Sequence, residues 1–292
     1  MVIRPRSLGR VCVVVASIVP LAPFLTTGCA LPFDSKTPVR THALELGRVA
    51  AVVADGRLQL GELEPWFDSG GQLVYRLEVP GAEALAWWRF LRSQFETTGY
   101  WPILLGAPAD AAIIDEMRAF DDIDPSDLDP RAVSAFDLAG WRSRAAAEYS
   151  EWGGEPRGIW PARVAESDFV VDVDILSGRL HPTVVVGLVP VDEGWQVPLV
   201  LRYGGWNACP PAMVHAATLR DWQHRFGAEL VTMTGEIVEL QVDDPPRNRE
   251  AAMALAREQF LYCGDIVWQG TDDLETLAAT VLEAPVWNFW WD

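Results

Sequence analysis

The amino-acid sequence predicts an α+β protein in which helices cover a mixed β-sheet, with a smaller α+β region towards the N-terminus. Short apolar stretches bounded by turn residues are typical of strands, and "TVVVGLVP" is continuously apolar, as a central strand is. Longer stretches between them carry apolar residues at helical spacing. The order of these elements indicates one sheet with helices packed on it.

The N-terminal segment has the three-part layout of a secretory signal. Three arginines within residues 1–10 precede an apolar run from Val11 to Leu25, and small residues then lead to Cys29. The apolar run is short for a membrane span, which needs about 20 residues. The stretch "LTTGC" resembles a bacterial lipobox, in which Cys29 would be acylated.

These features predict a signal peptide over residues 1–28, a lipid anchor at Cys29 and attachment to a membrane of the cell envelope. Two other interpretations of the leader remain. It is either an ordinary signal peptide cut near Ala30, or the product of a start codon assigned too far upstream, which would leave a cytoplasmic protein.

The charge balance excludes one class of partner. The chain has 23 basic and 41 acidic residues and a net charge of -18. A surface this acidic repels phosphate backbones, so we expect no nucleic-acid binding. Solubility, or a partner of opposite charge, fits this balance better.

Residues 40–106 are predicted to form the N-terminal α+β region. In "VAAVVADGRLQLGEL", Asp55 and Gly56 indicate a hairpin, and "GQLVYRLEV" is typical of a further strand. A helix is predicted over "GAEALAWWRFLRSQFETTG", ending at Gly99, and "YWPILLG" follows as a short buried strand.

Residues 107–165 are predicted to be an acidic, proline-containing linker with short helices. The stretch "FDDIDPSDLDPRAVSAFD" resembles a calcium loop in its acidity alone. Asp127 stands where an EF-hand loop needs glycine, and Val133 stands where it needs glutamate. We therefore expect a solvated connection rather than a metal site.

Residues 166–292 are predicted to form the C-terminal α+β domain. Strands are expected in "DFVVDVDIL", "TVVVGLVP" and "WQVPLVLRYGGW", and a hairpin in "AELVTMTGEIVELQV". One helix is expected from about Pro211 to Phe226, a second after a cap at Asn248, and a third whose capping box is Asp272 and Glu275. The ending "VWNFWWD" is predicted to be a closing strand with Trp287, Phe289 and Trp291 on one face.

This C-terminal region resembles a bacterial family known as domain of unknown function 4253. The resemblance is carried by "LRYGGWNACPPAMVHAATLRDWQHRFGAELV", "REAAMALAREQFLYCGDIVWQG" and the closing "VWNFWWD". It covers roughly residues 190–292. The resemblance implies no activity, because the family has no assigned function.

The candidate catalytic residues are His215, Cys263 and Asp265. His215 falls inside the apolar arc of its predicted helix, which favours a buried histidine hydrogen-bonded to a neighbour. Cys263 lies at the C-terminal end of a predicted helix, where the helix dipole disfavours the thiolate that a nucleophile needs. Both residues are therefore expected to be structural, with catalysis as the alternative.

The strand-to-helix loop from Gly204 to Asn207 is the candidate binding feature. Its glycines allow close backbone approach, and its tryptophan and asparagine offer a stacking face and a hydrogen-bonding amide. A tight turn with a packed tryptophan is the alternative. The candidate binding residues are Trp206, Asn207, Tyr262, Gln269, Trp290 and Asp292.

No metal or cofactor is expected, because Cys209, His215 and Cys263 lack metal-ligand spacing and no nucleotide-binding motif is present. Sequence alone leaves open whether Cys209 and Cys263 form a disulfide. The sequence predicts a non-catalytic binding role, accessory or immunity-like, with a protein as the partner. The alternative is an enzyme of hydrolase or transferase type that uses Cys263 or His215 with Asp265, near the Gly204–Asn207 loop.

Overall fold

A computed structural model describes residues 63–119, 123–151, 153–174 and 177–292. The leader, Cys29 and the hairpin predicted at Asp55 and Gly56 lie outside the described residues. Contacts within the chain divide it into Met1–Val39 and Arg40–Asp292, and every described residue belongs to the second unit.

The described secondary structure consists of strands, α-helices and several short turns of 3₁₀ or π-helix. The strands are β1 (Glu64–Ser69), β2 (Gln72–Pro80), β3 (Tyr100–Leu104), β4 (Val173–Asp174), β5 (Arg179–Leu180), β6 (Thr183–Pro190), β7 (Ala228–Met233), β8 (Ile237–Val242) and β9 (Val286–Trp290). The α-helices are α1 (Ala84–Ser93), α2 (Phe95–Thr98), α3 (Pro108–Arg118), α4 (Leu138–Glu151), α5 (Val197–Leu201), α6 (Ala212–Phe226), α7 (Arg249–Tyr262) and α8 (Leu274–Val281). The 3₁₀ turns used below are Pro125–Leu128, Ala132–Ala135 and Gly194–Gln196, and Ile266–Thr271 is π-helical.

Seven of the described strands form one mixed sheet in the order β1-β2-β6-β3-β7-β8-β9. Neighbouring strands run antiparallel except β3 and β7, which run parallel and meet at Leu104 and Thr232. The mixed sheet with its helices confirms the predicted α+β class. Because β1 to β3 share the sheet with β6 to β9, the regions predicted as 40–106 and 166–292 meet within a single hydrogen-bonded layer.

The two faces of the sheet carry different helices, since successive residues of a strand point to opposite sides. On one face, Trp87 and Trp88 of α1 pack with Leu77 of β2. On the other face, α6, α7 and α8 contribute the larger cluster, which includes Trp222 and Phe289. Both faces of the central strands are therefore buried, as the apolar run of β6 predicts.

Several predicted helix ends are confirmed by the cap geometry. Gly99 and Gly227 end α2 and α6 in the left-handed conformation, with φ of 72° and 60°. The side chain of Asn248 accepts a hydrogen bond from the backbone N–H of Ala251 and so begins α7. The cap of α8 is Asp273 instead of Asp272, because Asp273 accepts the bond from Thr276 while Asp272 lies in the preceding left-handed turn.

Two predicted strands are wrong in extent or type. The stretch "WQVPLVLRYGGW" forms the 3₁₀ turn Gly194–Gln196 followed by α5, because Pro198 sits in a first helical turn, where its missing N–H costs nothing. In the stretch "DFVVDVDIL", the residues that the structure describes contain only the two-residue strand β4. There the Val170 N–H donates to the buried carboxylate of Glu239 at 2.6 Å rather than to a neighbouring strand.

The region predicted as an acidic linker is more ordered than expected. Its described residues include the 11-residue helix α3, the 14-residue helix α4 and two 3₁₀ turns between them. Val133 in the second of these turns is buried in a small cluster against α5 and α6. This region therefore packs on the sheet domain and helps to form a cleft.

Among the described residues, no helix is both long enough and apolar enough to cross a membrane.

Candidate functional site

A cleft of about 1370 Å³ opens beside the Gly204–Asn207 loop. One side consists of α3, the two 3₁₀ turns of the acidic region and the first half of α4. The other side consists of the loop itself, the N-terminal turn of α6 and the turn between β7 and β8. The apolar lining includes Ile113, Met117, Phe136, Trp141, Trp206 and Met213. The lining of the cleft therefore comes from segments that are far apart in sequence.

The backbone of the Gly204–Asn207 loop is strongly constrained. Gly204 and Gly205 have φ of 91° and 82°, and Asn207 has φ of 45°. The Gly205 N–H donates to the backbone carbonyls of Cys209 and Pro210, each at 3.1 Å. A Cβ atom on Gly204 would lie 1.9 Å from the Pro210 oxygen and 2.8 Å from His215 Nε2. Glycine is thus required at 204, and it forms a thin wall between the cleft and His215.

His215 lies behind this wall in a buried polar cluster. Its Nδ1 is 2.6 Å from the Tyr262 hydroxyl oxygen, and its Nε2 is 3.4 Å from Cys209 Sγ. The rings of Tyr203 and Trp291 pack edge-on against the imidazole. The His215 side chain has no exposed surface. This arrangement agrees with a core histidine bonded to its neighbours.

Burial makes the cluster unsuited to acid–base or nucleophilic chemistry. It lowers the pKa of His215 to about 3, so the imidazole is neutral at physiological pH. It also raises the pKa of the Cys209 thiol, so no thiolate forms beside it. Cys209 and His215 are the residue types of a catalytic dyad, but they are not accessible to a substrate and do not have the protonation states that catalysis needs.

Cys263 is buried in the same core cluster as Cys209. Its thiol donates to the Trp290 carbonyl at 2.8 Å, and burial raises its pKa to about 12. Neither Cys263 nor Cys209 is in a disulfide. Asp265, the third catalytic candidate, accepts a hydrogen bond from the Asp292 N–H at 3.0 Å and does not line the cleft. The three catalytic candidates therefore do not converge on one open pocket.

The candidate binding residues are dispersed as well. Trp206 lines the cleft, and Asn207 is exposed on the same loop. Tyr262 is buried against His215, so its hydroxyl is occupied inside the protein. Gln269 and Asp292 are exposed and Trp290 is partly buried, all away from the cleft lining. The structure thus brings one of the predicted binding residues to the cleft wall.

Sequence reasoning missed most of the cleft because half of it comes from the supposed linker. Phe136 and Trp141 line the cleft and stand within the stretch predicted to be a solvated linker. Large aromatic side chains are usually buried, and a solvated linker offers them nothing to pack against. Phe136 and Trp141 were therefore the indication in the sequence that this segment packs on the rest of the protein. Within the part of the chain that the structure describes, no group of His, Cys, Asp or Glu residues is placed to hold a metal ion.

One side of the cleft lies in a region of the chain that matches a known protein family. Residues 185–292 match the family model described as Domain of unknown function (DUF4253). The DUF4253 match contains the glycine loop, the start of α6 and the β7–β8 turn, which form one side of the cleft. The other side, from α3 to α4, precedes the match. Neither a curated protein nor a solved structure matches the chain.

Proposed function

We propose that this protein is a non-catalytic binding protein that recognises another protein through the cleft beside the Gly204–Asn207 loop. The supporting observation is the contrast between two neighbouring places. The cleft is large, open and lined by apolar and aromatic side chains, whereas the candidate nucleophile and base lie sealed behind it. Binding requires only the open cleft, whereas catalysis would require a substrate to reach the buried nucleophile and base.

The volume favours a polypeptide over a small molecule. Pockets for small ligands usually enclose about 300–1,000 Å³, and this cleft exceeds that range at about 1370 Å³. Two methionines in the wall, Met117 and Met213, have flexible side chains that adapt to a partner's surface. The enzyme alternative with Cys263, His215 and Asp265 gains no support from this geometry.

Affinity capture from the native cell envelope tests the binding role. Ala135 is exposed on the cleft wall, so Ala135→Trp fills the cleft without disturbing the core. Ala147 is exposed on α4 outside the cleft lining, and Ala147→Trp is the matched control. We expect the wild type and Ala147→Trp to retain a partner that Ala135→Trp loses. Equal recovery by all three forms would remove the cleft from the proposal.

We also propose that the mature protein begins at Cys29 and is held at the membrane by lipid on that cysteine. The support is the basic, apolar and small-residue order of the leader and the "LTTGC" stretch. Mass spectrometry of the purified mature protein should give an acylated N-terminal Cys29 peptide, and Cys29→Ser should abolish the acylation. An unmodified peptide spanning Arg10 to Arg40 would contradict this proposal.

A further inference from the structure

The lining of the cleft excludes one common mode of peptide binding. Its residues come from helices, 3₁₀ turns, the glycine loop and the β7–β8 turn, and none lies within a strand. An extended peptide that adds to a sheet needs a free strand edge in the groove. The alternative mode, in which an amphipathic helix lays its apolar face into a groove, requires only apolar walls of suitable width.

The size of the cleft agrees with a helical occupant. An α-helix is about 10 Å across and rises about 1.5 Å per residue, so roughly three turns occupy a volume close to that of the cleft. The wall offers large contacts to such a helix through Phe136, Trp141, Trp206 and Met213. These side chains come from both sides of the cleft, so a helix would be held between them.

The charges around the cleft are predominantly negative. Glu116, Asp124, Asp127 and Glu236 line it and are exposed, against Arg144 and Arg202. Among the described residues, no ion pair engages the carboxylates of Glu116, Asp127 or Glu236. The whole chain adds to this field with its net charge of -18. A cationic partner is attracted to such a rim, while an anionic one is repelled.

We infer that the occupant of the cleft is a basic amphipathic helix of a partner protein, with its apolar face on the aromatic wall and its Lys or Arg side chains at the acidic rim. This inference rests on the proposed binding function and names the chemistry of its partner. The apolar face provides most of the contact, and the acidic rim sets the sign of the charge that is accepted.

Three synthetic peptides of about 14 residues, roughly four helical turns, test the inference on the full chain. The first has Leu and Phe on one helical face and Lys on the other. The second replaces every Lys by Glu. The third has the composition of the first in an order that destroys the apolar face. Binding is measured by calorimetry at low and physiological salt.

We expect the basic amphipathic peptide to bind at least about tenfold more tightly than either other peptide, with an affinity that falls as salt screens the rim. Ala135→Trp should abolish this binding, and Ala147→Trp should not change it. The double variant Glu116→Gln with Glu236→Gln changes two exposed side chains, and it should reduce both the affinity and its dependence on salt.

Other outcomes separate the inference from the proposed function. Equal or tighter binding of the acidic peptide, blocked by Ala135→Trp, would overturn the basic-helix inference and leave the cleft as a protein-binding site. Equal binding of the scrambled peptide would overturn the helical part. No binding of any peptide, together with cleft-dependent capture of a partner from the envelope, would overturn the inference alone. Peptide binding that survives Ala135→Trp would count against the cleft itself and so against both.

Discussion

At the scale of single residues, burial decides the chemistry of this protein. The helical period placed His215 in an apolar arc, and its burial and hydrogen bonding were predicted from that position. Its partners could not be predicted, because Tyr262 comes from another helix and Cys209 from the loop. Glu239 was not singled out at all, since a single carboxylate in an otherwise alternating strand carries no signal of its burial.

The buried carboxylate of Glu239 predicts a specific dependence of stability on pH. Burial raises its pKa from 4.5 to about 7, so between these values the folded state binds a proton that the unfolded state has released. The free energy of unfolding should therefore fall as pH rises from about 4.5 to 7, by up to about 3 kcal/mol from this group. Glu239→Gln should remove that loss while keeping an oxygen that accepts from Val170.

Urea unfolding of wild type and Glu239→Gln at pH 5 and pH 8 measures this effect. The variant should gain stability relative to the wild type at the higher pH. The comparison of two pH values cancels the other titrating groups, which are common to both proteins. A difference in stability that is the same at both pH values would show that Glu239 does not titrate in this range.

Adjacent glycines in the cleft loop predict different responses to the same substitution. Both have positive φ, so alanine is strained at either position. At Gly205 a Cβ atom meets nothing within 4 Å, and Gly205→Ala should cost only that strain, about 1–2 kcal/mol. At Gly204 it meets the Pro210 carbonyl, so Gly204→Ala should cost at least about 2 kcal/mol more by thermal or denaturant unfolding. Equal losses for the two variants would contradict the packing of Gly204 on α6.

At the scale of elements, segments with a clear apolar period or a recognisable cap were predicted, and segments with neither were not. The sequence located β2, β3, β6, β9, the β7–β8 hairpin and the helices α1, α6 and α7, because each has a clear apolar period or a recognisable cap. It placed a strand where α5 lies, since a short run of valine and leucine has the same pattern in either structure. The cleft was missed because half of its walls come from α3, α4 and two 3₁₀ turns, all of which have weak apolar periods.

The terminal strand β9 predicts a contrast between two neighbouring tryptophans. Trp291 follows the strand on its core-facing side, where it is 1% exposed and packs on His215 and Tyr262. Trp290 points to the other face and is partly exposed. We expect Trp291→Ala to reduce the free energy of unfolding by about 3–5 kcal/mol and Trp290→Ala by about 1 kcal/mol.

Denaturant titrations of the two variants measure these losses directly. Because both variants remove an indole ring from adjacent positions, they differ mainly in the face of the sheet that is affected. A larger loss for Trp290→Ala would contradict the predicted and observed orientation of the strand.

At the scale of the whole molecule, the strand order makes the sheet depend on both ends of the chain. Strand β3 lies between β6 and β7, so it joins the β1-β2-β6 half to the β7-β8-β9 half. The family match begins at residue 185, inside β6, and does not include β3. Within the match, β6 therefore has no strand that connects it to β7 in the sheet. Sequence patterns could predict these strands but not their order, because the order depends on contacts between distant segments.

This topology predicts that residues 185–292 do not fold alone. That fragment lacks β2 and β3, the two partners of β6, and also α1, which covers one face of the sheet. A fragment of residues 63–292 contains all seven described strands of the main sheet and serves as the control. Calorimetry should give a cooperative transition for the longer fragment and none for the shorter. A sharp transition in the shorter fragment would contradict the structural role of β3.

The pairing of β2 with β6 also has a consequence for synthesis at the ribosome. Strand β2 is complete when Pro80 has been added, but its second partner begins only at Thr183. Until the stretch from Gly81 to Pro182 has been made, the nascent β1–β2 hairpin presents an unpaired apolar edge. Such an edge invites pairing with other nascent chains. The growing polypeptide therefore passes through a long interval in which β2 has no β6 to pair with.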